Sequence, residues 1–206
     1  MTLDDSLGVG ITTVCRDGRP ITYRFLSGTD DLDLITELLH RGYARLAEAG
    51  LQFVASHQDV EVTRRRLAKG DTIVALDSSR LVGIVTLART SATSGSPFYD
   101  RPDVASFGQY AVEPTHQGNG IGTTLLEYVE RLALLRGVKI LALDTSEQAA
   151  HVIRFYEARG YRFVEHARWP DVNYRSVVLA KPIAHNTIGH LTRPGADATG
   201  VAESRR

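Results

Sequence analysis

The chain has 206 residues, 43% of them hydrophobic, which suits one domain with a core of its own. Lysine plus arginine equals aspartate plus glutamate at 24 each, so no global field recruits nucleic acid or an anionic membrane. The single cysteine, Cys15, excludes an internal disulfide and fits a reducing compartment. No apolar run approaches membrane-spanning length. The N-terminus carries Asp4 and Asp5 and lacks the basic-then-apolar pattern of a signal peptide, so a cytoplasmic location is the expectation.

Met1 to Gly10 shows no pattern and reads as a loose arm. Ile11–Cys15 and Ile21–Leu26 are β-like runs around Arg16-Asp17-Gly18-Arg19, and Asp-Gly between such runs signals a hairpin. Residues 30–49 read as a helix with Leu34, Leu38, Tyr43 and Leu46 at its apolar positions and Gly50 as its stop. After a short loop at Leu51–His57, a second helix runs from about Gln58 to Lys69. Its Arg64-Arg65-Arg66 run reads as a solvated face, with a ligand role as the lesser alternative. Thr72–Leu76 and Leu81–Leu87 form a second hairpin. Residues 90–105, rich in Ser, Thr, Gly, Pro and Asp, read as a long loop of the kind that is often functional or mobile. Phe98 and Tyr99 either cap a substrate site there or pin the loop to the domain.

The stretch from Phe107 to Arg136 organises the rest. Gln109 to Val112 is a β-favouring run that Pro114 must end, because proline cannot donate to a ladder. Gln117-Gly118-Asn119-Gly120-Ile121-Gly122 follows, and Ile121, Leu125, Tyr128, Val129 and Leu132 then repeat at helical spacing. Glycines therefore sit where a helix starts, and free N–H donors at a positive dipole end suit phosphate. Lys139–Leu143 is a buried-type strand, and Ala149–Arg159 a helix with Val152, Ile153 and Tyr156 on one side. Tyr161–Glu165 and Ser176–Leu179 are strands joined by Arg168–Arg175. Residues 184–206 read as a flexible tail. This order predicts a mixed α/β fold with helices on both faces of the sheet. The expected division is an N-terminal arm and hairpin strand (1–20), one main domain (21–183) and the tail.

Gln117-x-x-Gly120-x-Gly122, between a Val-x-Pro strand end and an amphipathic helix, resembles the acyl-CoA motif of the GNAT acetyltransferases. Phe155-Tyr156-Glu157-x-x-Gly160-Tyr161 resembles the family's second signature, and the resemblance covers roughly Ile21 to Ile183. It implies a central sheet of about seven strands, in which the strand ending at Val112 and the strand Lys139–Leu143 splay apart around the pantetheine arm. It implies acetyl-CoA as co-substrate and direct transfer to a primary amine, a small molecule first and a protein N-terminus or lysine next. It calls for no nucleic-acid or membrane partner and admits a homodimer. A non-catalytic CoA sensor on the same scaffold is the second reading.

The resemblance implies a backbone contact at Val112 and pyrophosphate over Gln117, Gly118, Asn119, Gly120, Ile121, Gly122 and Thr123. His116 either adds a positive edge or is an exposed loop histidine. Tyr156 is the implied acid toward the departing thiolate, since a phenol pKa of about 10 is close to that of an alkyl thiol; a core tyrosine is the alternative. The base is open between Asp144, Glu113 and a water-mediated route. Ala149 stands where the family often has an asparagine, so that contact is missing or passes to Gln148. Leu51–His57, residues 90–105 and Arg168–Arg175 are the expected acceptor-selecting parts. Trp169, Asn173 and Tyr174 are candidates to line the acceptor pocket, against a Trp169 folded on the sheet edge.

Two other readings of the glycines stand beside this one. A structural turn is the plain one. The other is a dinucleotide fingerprint, with Asp144 closing the next strand; but G-x-G-x-x-G needs glycine where Thr123 stands, and several residues separate Val112 from Gly118. The histidines and Cys15 show no metal-ligand spacing, and no Ser-His-Asp or Walker pattern is present.

Overall fold

Among residues 3–92 and 94–183, which the computed structural model describes, the chain opens with a helix, α1 (Leu3–Val9). This corrects the expectation of a loose arm. Leu7 is fully buried in the main core, and Arg136 reaches across to Asp4 at 2.6 Å and Asp71 at 3.0 Å. A single buried leucine on so short a helix leaves no periodicity to read, yet burying it contributes about 1.5–3 kcal/mol.

The predicted hairpin follows as β1 (Ile11–Val14) and β2 (Pro20–Phe25), paired antiparallel with Ile11 opposite Tyr23. Helix α2 (Leu32–Glu48) starts where the Asp31 carboxylate accepts from the N–H groups of Asp33 and Leu34. Helix α3 (Val60–Leu67) starts the same way, with Asp59 accepting from Val62. Leu34 is a correction: it is 53% exposed, and the buried stripe of α2 is Ile35, Leu38 and Leu39. Strands β3 (Gly70–Asp77), β4 (Arg80–Ala88) and β5 (Val104–Val112) come next, then α4 (Ile121–Leu135), β6 (Ile140–Ser146), α5 (Ala150–Glu157), β7 (Arg162–Ala167) and β8 (Ser176–Pro182). The tail expected at 184–206 lies outside the described residues.

Among the described residues the sheet has eight strands in the order β1-β2-β3-β4-β5-β6-β8-β7, one more than the count of about seven, because β1 joins as an edge strand. Every pairing is antiparallel except β5 with β6. Apolar residues of α1, α4 and α5 pack with Ile73, Ala75, Val85 and Phe107 on one face, while Leu38, Leu39 and Leu67 of α2 and α3 meet Val74, Ile84 and Ala111 on the other. Among the described residues no helix is long and apolar enough to cross a membrane.

Two irregularities in β5 position the site. The first is a bulge at Gln109, whose φ is +48°, opposite the register shift between Ile84 and Thr86. Ala105 and Phe107 face the α4 side before it; Tyr110 and Val112 face that side after it, and Ala111 turns to α2. One extra residue has thus reversed the in–out phase of the strand. The second is a splay. β5 pairs with β6 only over Val104–Ser106 against Ile140–Ala142. Beyond that, β5 stays bound to β4 as far as Val112 and β6 to β8 as far as Ser146, so a gap opens between them.

Candidate active site

The gap is the middle of a cavity of about 1140 Å³ that reaches both faces of the sheet. Its first mouth is the glycine loop. Helices α2 and α3 have carboxylate caps, but α4 begins at Gly120 with no side-chain cap and no acidic residue in its first turn. The first intrahelical bond runs from Thr124 N–H to the Gly120 carbonyl at 3.0 Å, so the preceding N–H groups have no partner within the helix. The positive end of α4 is left for a ligand to neutralise.

Gly120 has φ +95° and Gly118 φ +81°, values that L side chains rarely adopt, and a Cβ on either would project into open space. At Gly122 a Cβ would lie 2.9 Å from the Tyr110 hydroxyl, which donates to the Gly122 carbonyl. Of the residues implied for the cofactor, Val112, Gln117, Gly118, Gly120, Gly122 and Thr123 line the cavity. Gln117 also donates its amide to the Val112 carbonyl at 3.0 Å. Asn119 and Ile121 do not line it: Ile121 is in the core, and the Asn119 carbonyl accepts from Arg16 N–H.

Arg159 is the group that sequence reasoning missed at this mouth. It donates to the Thr123 hydroxyl (2.9 Å) and the Phe155 carbonyl (2.8 Å), lies 3.7 Å over the Phe155 ring, and keeps a buried Nε without a partner. It thus holds a fixed positive charge beside the uncapped helix end. An orphaned guanidinium N–H and an open glycine cradle fit a diphosphate. The contact of Arg159 with Thr123 spans 36 residues and leaves no local trace in the sequence.

His116 is a correction to both of its readings. It is buried, 4% exposed, and does not line the cavity. Its Nε2 lies 2.7 Å from Arg19 and 3.2 Å from Asp77. With Arg19 and Asp77 both within reach of Nε2, the ring ties the β1–β2 turn to the β3–β4 turn.

On the wall of the gap Tyr156 is 5% exposed, in a nest of rings with centroids 5.2–6.3 Å away: Phe155, Tyr161, Phe107 and Tyr110. Burial, with Tyr110 next, pushes its phenol well above the ordinary value, so it stays protonated more firmly than a match to a free thiol implied. Asp144 lies within β6 rather than at its end. One carboxylate oxygen accepts from Trp169 Nε1 at 2.9 Å and Ser176 Oγ at 3.1 Å. Its surface is open to the cavity, yet protein walls surround it. Burial raises its pKa; the bonds from Trp169 and Ser176, and then the charge of Arg66, pull the other way.

Glu113 is not brought to the site. It is 4% exposed, paired to Arg41 at 3.0 Å and outside the cavity lining, so its carboxylate is structural. Tyr99, 4% exposed, stacks on Trp169, and burial followed by the neighbouring charge of Asp144 raises its phenol pKa, so its hydroxyl lies beside that carboxylate short of a formed hydrogen bond. Trp169 and Tyr174 line the cavity, whereas Asn173 pins a loop by donating to the Gly50 carbonyl (2.8 Å) and accepting from Gln52 N–H (2.9 Å). Ala149 and Gln148 both line it, with no side-chain cap at the start of α5. Among the described residues no cluster of three or more His, Cys, Asp or Glu is placed to hold a metal ion.

A family model described as Acetyltransferase (GNAT) family matches residues 35–161, more than half of the chain. The chain belongs to the GNAT acetyltransferases. The S-(2-succino)cysteine N-acetyltransferase of Bacillus subtilis is 26% identical over 133 residues, 64% of this chain and 78% of that protein. The mycothiol acetyltransferase of Nocardiopsis dassonvillei is 32% identical over 130 residues, 61% of this chain but 36% of that protein. A crystal structure of a GNAT family acetyltransferase from Elizabethkingia anophelis with acetyl-CoA bound is 16% identical, with a TM-score of 0.56 over 79% of this chain and 97% of that one. At that identity it shows the shared fold. As a GNAT domain the chain is an acetyl-transferring enzyme, which removes the dinucleotide reading.

Proposed function

We propose that the protein is an acetyl-CoA-dependent N-acetyltransferase for a small-molecule primary amine, with both substrates held at once. The observation that carries this is the uncapped glycine start of α4 opening onto the gap between β5 and β6, with Asp144 and Tyr156 on the same cavity. Gly118, Gly120, Gly122, Thr123 and Arg159 would hold the diphosphate, and acetyl-CoA supplies a thioester acetyl group. The bulged β5 edge near Val112 is the nearest backbone for orienting and polarising the carbonyl. The amine arrives from the Asp144 side.

Asp144 takes the proton that the amine sheds, directly or through one water, as the new C–N bond forms. Tyr156 gives its phenolic proton to sulfur as the C–S bond breaks and is reprotonated from solvent. The two related enzymes are named for S-(2-succino)cysteine and for mycothiol, both small molecules, which favours a small acceptor over a protein N-terminus.

The test is thiol release from acetyl-CoA across a panel of amines, with mass-spectrometric detection of the acetylated product. Tyr156→Phe should lower kcat about a hundredfold and move the acetyl-CoA KM by no more than about threefold. Unchanged turnover would remove Tyr156 from the acid role. Tight CoA binding with no thiol release on any amine would favour the sensor instead.

A further inference from the structure

Among the described residues, the lysine and arginine side chains on the cavity are Arg16, Arg45, Arg66, Lys69 and Arg159; the carboxylates are Asp144 and Asp171. A chain of zero formal charge has concentrated positive charge here. The charge falls at two ends. Arg159 stands at the α4 mouth, and its field acts on Tyr110 and Tyr156. Arg66, at the C-terminal end of α3, instead acts on Tyr43, Asp144 and Tyr174, groups of three other segments that all face the acceptor half of the cavity. The α4 mouth accounts for a diphosphate. Nothing in that account uses Arg66.

Arg66 is half-buried, unlike the exposed Arg64 and Arg65. Arg64 has an i,i+3 partner in Glu61, but Arg66 has no ion pair or side-chain hydrogen bond among the described residues. Asp144, a carboxylate its charge acts on, is bonded to Trp169 and Ser176 instead. An unpaired guanidinium facing a half-enclosed, aromatic-walled cavity is a recognition element for a planar anion.

We propose that the acceptor is a zwitterion of the amino-acid type, its ammonium drawn to Asp144 and its carboxylate held by Arg66. An apolar or thioether substituent would lie against Phe53, Tyr99 and Trp169. This rests on the acetyl-transfer reading above and narrows its substrate class. The Arg64-Arg65-Arg66 run is therefore two solvated arginines and one substrate anchor.

The test pairs free L-phenylalanine, L-methionine and S-methyl-L-cysteine with their own carboxamides, followed by thiol release from acetyl-CoA. Carboxamides lose an ammonium proton more readily, so a preference for the acid runs against intrinsic reactivity. At least one acid should exceed its carboxamide about tenfold or more in kcat/KM. At a pH on the plateau above the acidic limb of the profile, Arg66→Gln should cut the acid about ten- to a hundredfold, mainly through KM, and move the carboxamide much less, while the acidic limb of both moves to higher pH because Asp144 loses a neighbouring positive charge. Arg66→Lys should recover part of the loss. Equal effects of Arg66→Gln on acid and carboxamide, or turnover of carboxamides and peptides without acids, overturns the inference and leaves acetyl transfer standing. A protein that neither binds acetyl-CoA nor releases thiol overturns both.

Discussion

Asp144 carries two opposed demands. It must be charged to take a proton, and it lies where burial raises the cost of charge. A carboxyl whose folded pKa is raised holds more protons folded than unfolded, so its contribution to stability falls as pH rises through the ordinary aspartate range and beyond. Catalysis runs the other way: activity should rise with pH through a pKa above the ordinary carboxylate value. An asparagine in its place would keep an oxygen that accepts from Trp169 and Ser176. Asp144→Asn should therefore leave Tm at about pH 8 unchanged or higher, lower kcat/KM about a hundredfold, and flatten the acidic limb of the profile. A wild-type acidic limb retained in the variant would hand the proton to another group. Asp144 was visible in the sequence as a strand-end carboxylate twelve residues before Tyr156. Its partners were not, because Trp169 and Ser176 reach it from 25 and 32 residues away.

The elements with local signals were legible. Gly50 marks a helix stop, Asp17-Gly18 marks a hairpin, and the glycine run before Ile121 marks a helix start with free N–H donors, whereas the Asp31 and Asp59 caps emerged only from the structure. The bulge in β5 was not legible, since Gln109-Tyr110-Ala111-Val112 reads as an unbroken strand. Its cause is tertiary. The side-chain carbonyl oxygen of Gln109 accepts from Gln58 Nε2 at 2.9 Å, Gln58 also donates to Thr63 (2.7 Å), and Thr63 meets Thr36 (2.8 Å). This buried network ties the bulge to α2 and α3 and holds a non-glycine residue at positive φ. Gln109→Ala should cost about 1–2 kcal/mol of stability and at least about tenfold in kcat, because the β5 edge loses its aim. Gln109→Gly loses the same tether but suits φ +48°, so it should keep more activity than the alanine variant. Equal, undiminished rates in both would show that the bulge does not orient the reacting group. Glu113 and His116 misled for a related reason: both flank the glycine loop in sequence, yet each is buried and held there by contact with an arginine.

At the scale of the whole molecule, two half-sheets share three residue pairs and then part. β1 to β5 carry the bulge, and β6, β8 and the loop that joins β7 to β8 carry Asp144, Ser176 and Trp169. Helices α4 and α5 bring Gly122 and Tyr156 to the seam from one face, and α2 and α3 bring Tyr43 and Arg66 from the other. The family resemblance covered this plan, but it could not assign the charge along the seam, which depends on which arginines lack a carboxylate. The account stands on that seam holding the acetyl donor. A crystal structure of the protein with coenzyme A tests it directly. The diphosphate should lie against the N–H groups of Gly120 to Thr123 and the Arg159 guanidinium, with the pantetheine arm between β5 and β6 and its sulfur facing Tyr156. A nucleotide bound elsewhere, or an arm that leaves the gap between Phe107–Val112 and Leu143–Ser146 empty, would contradict it.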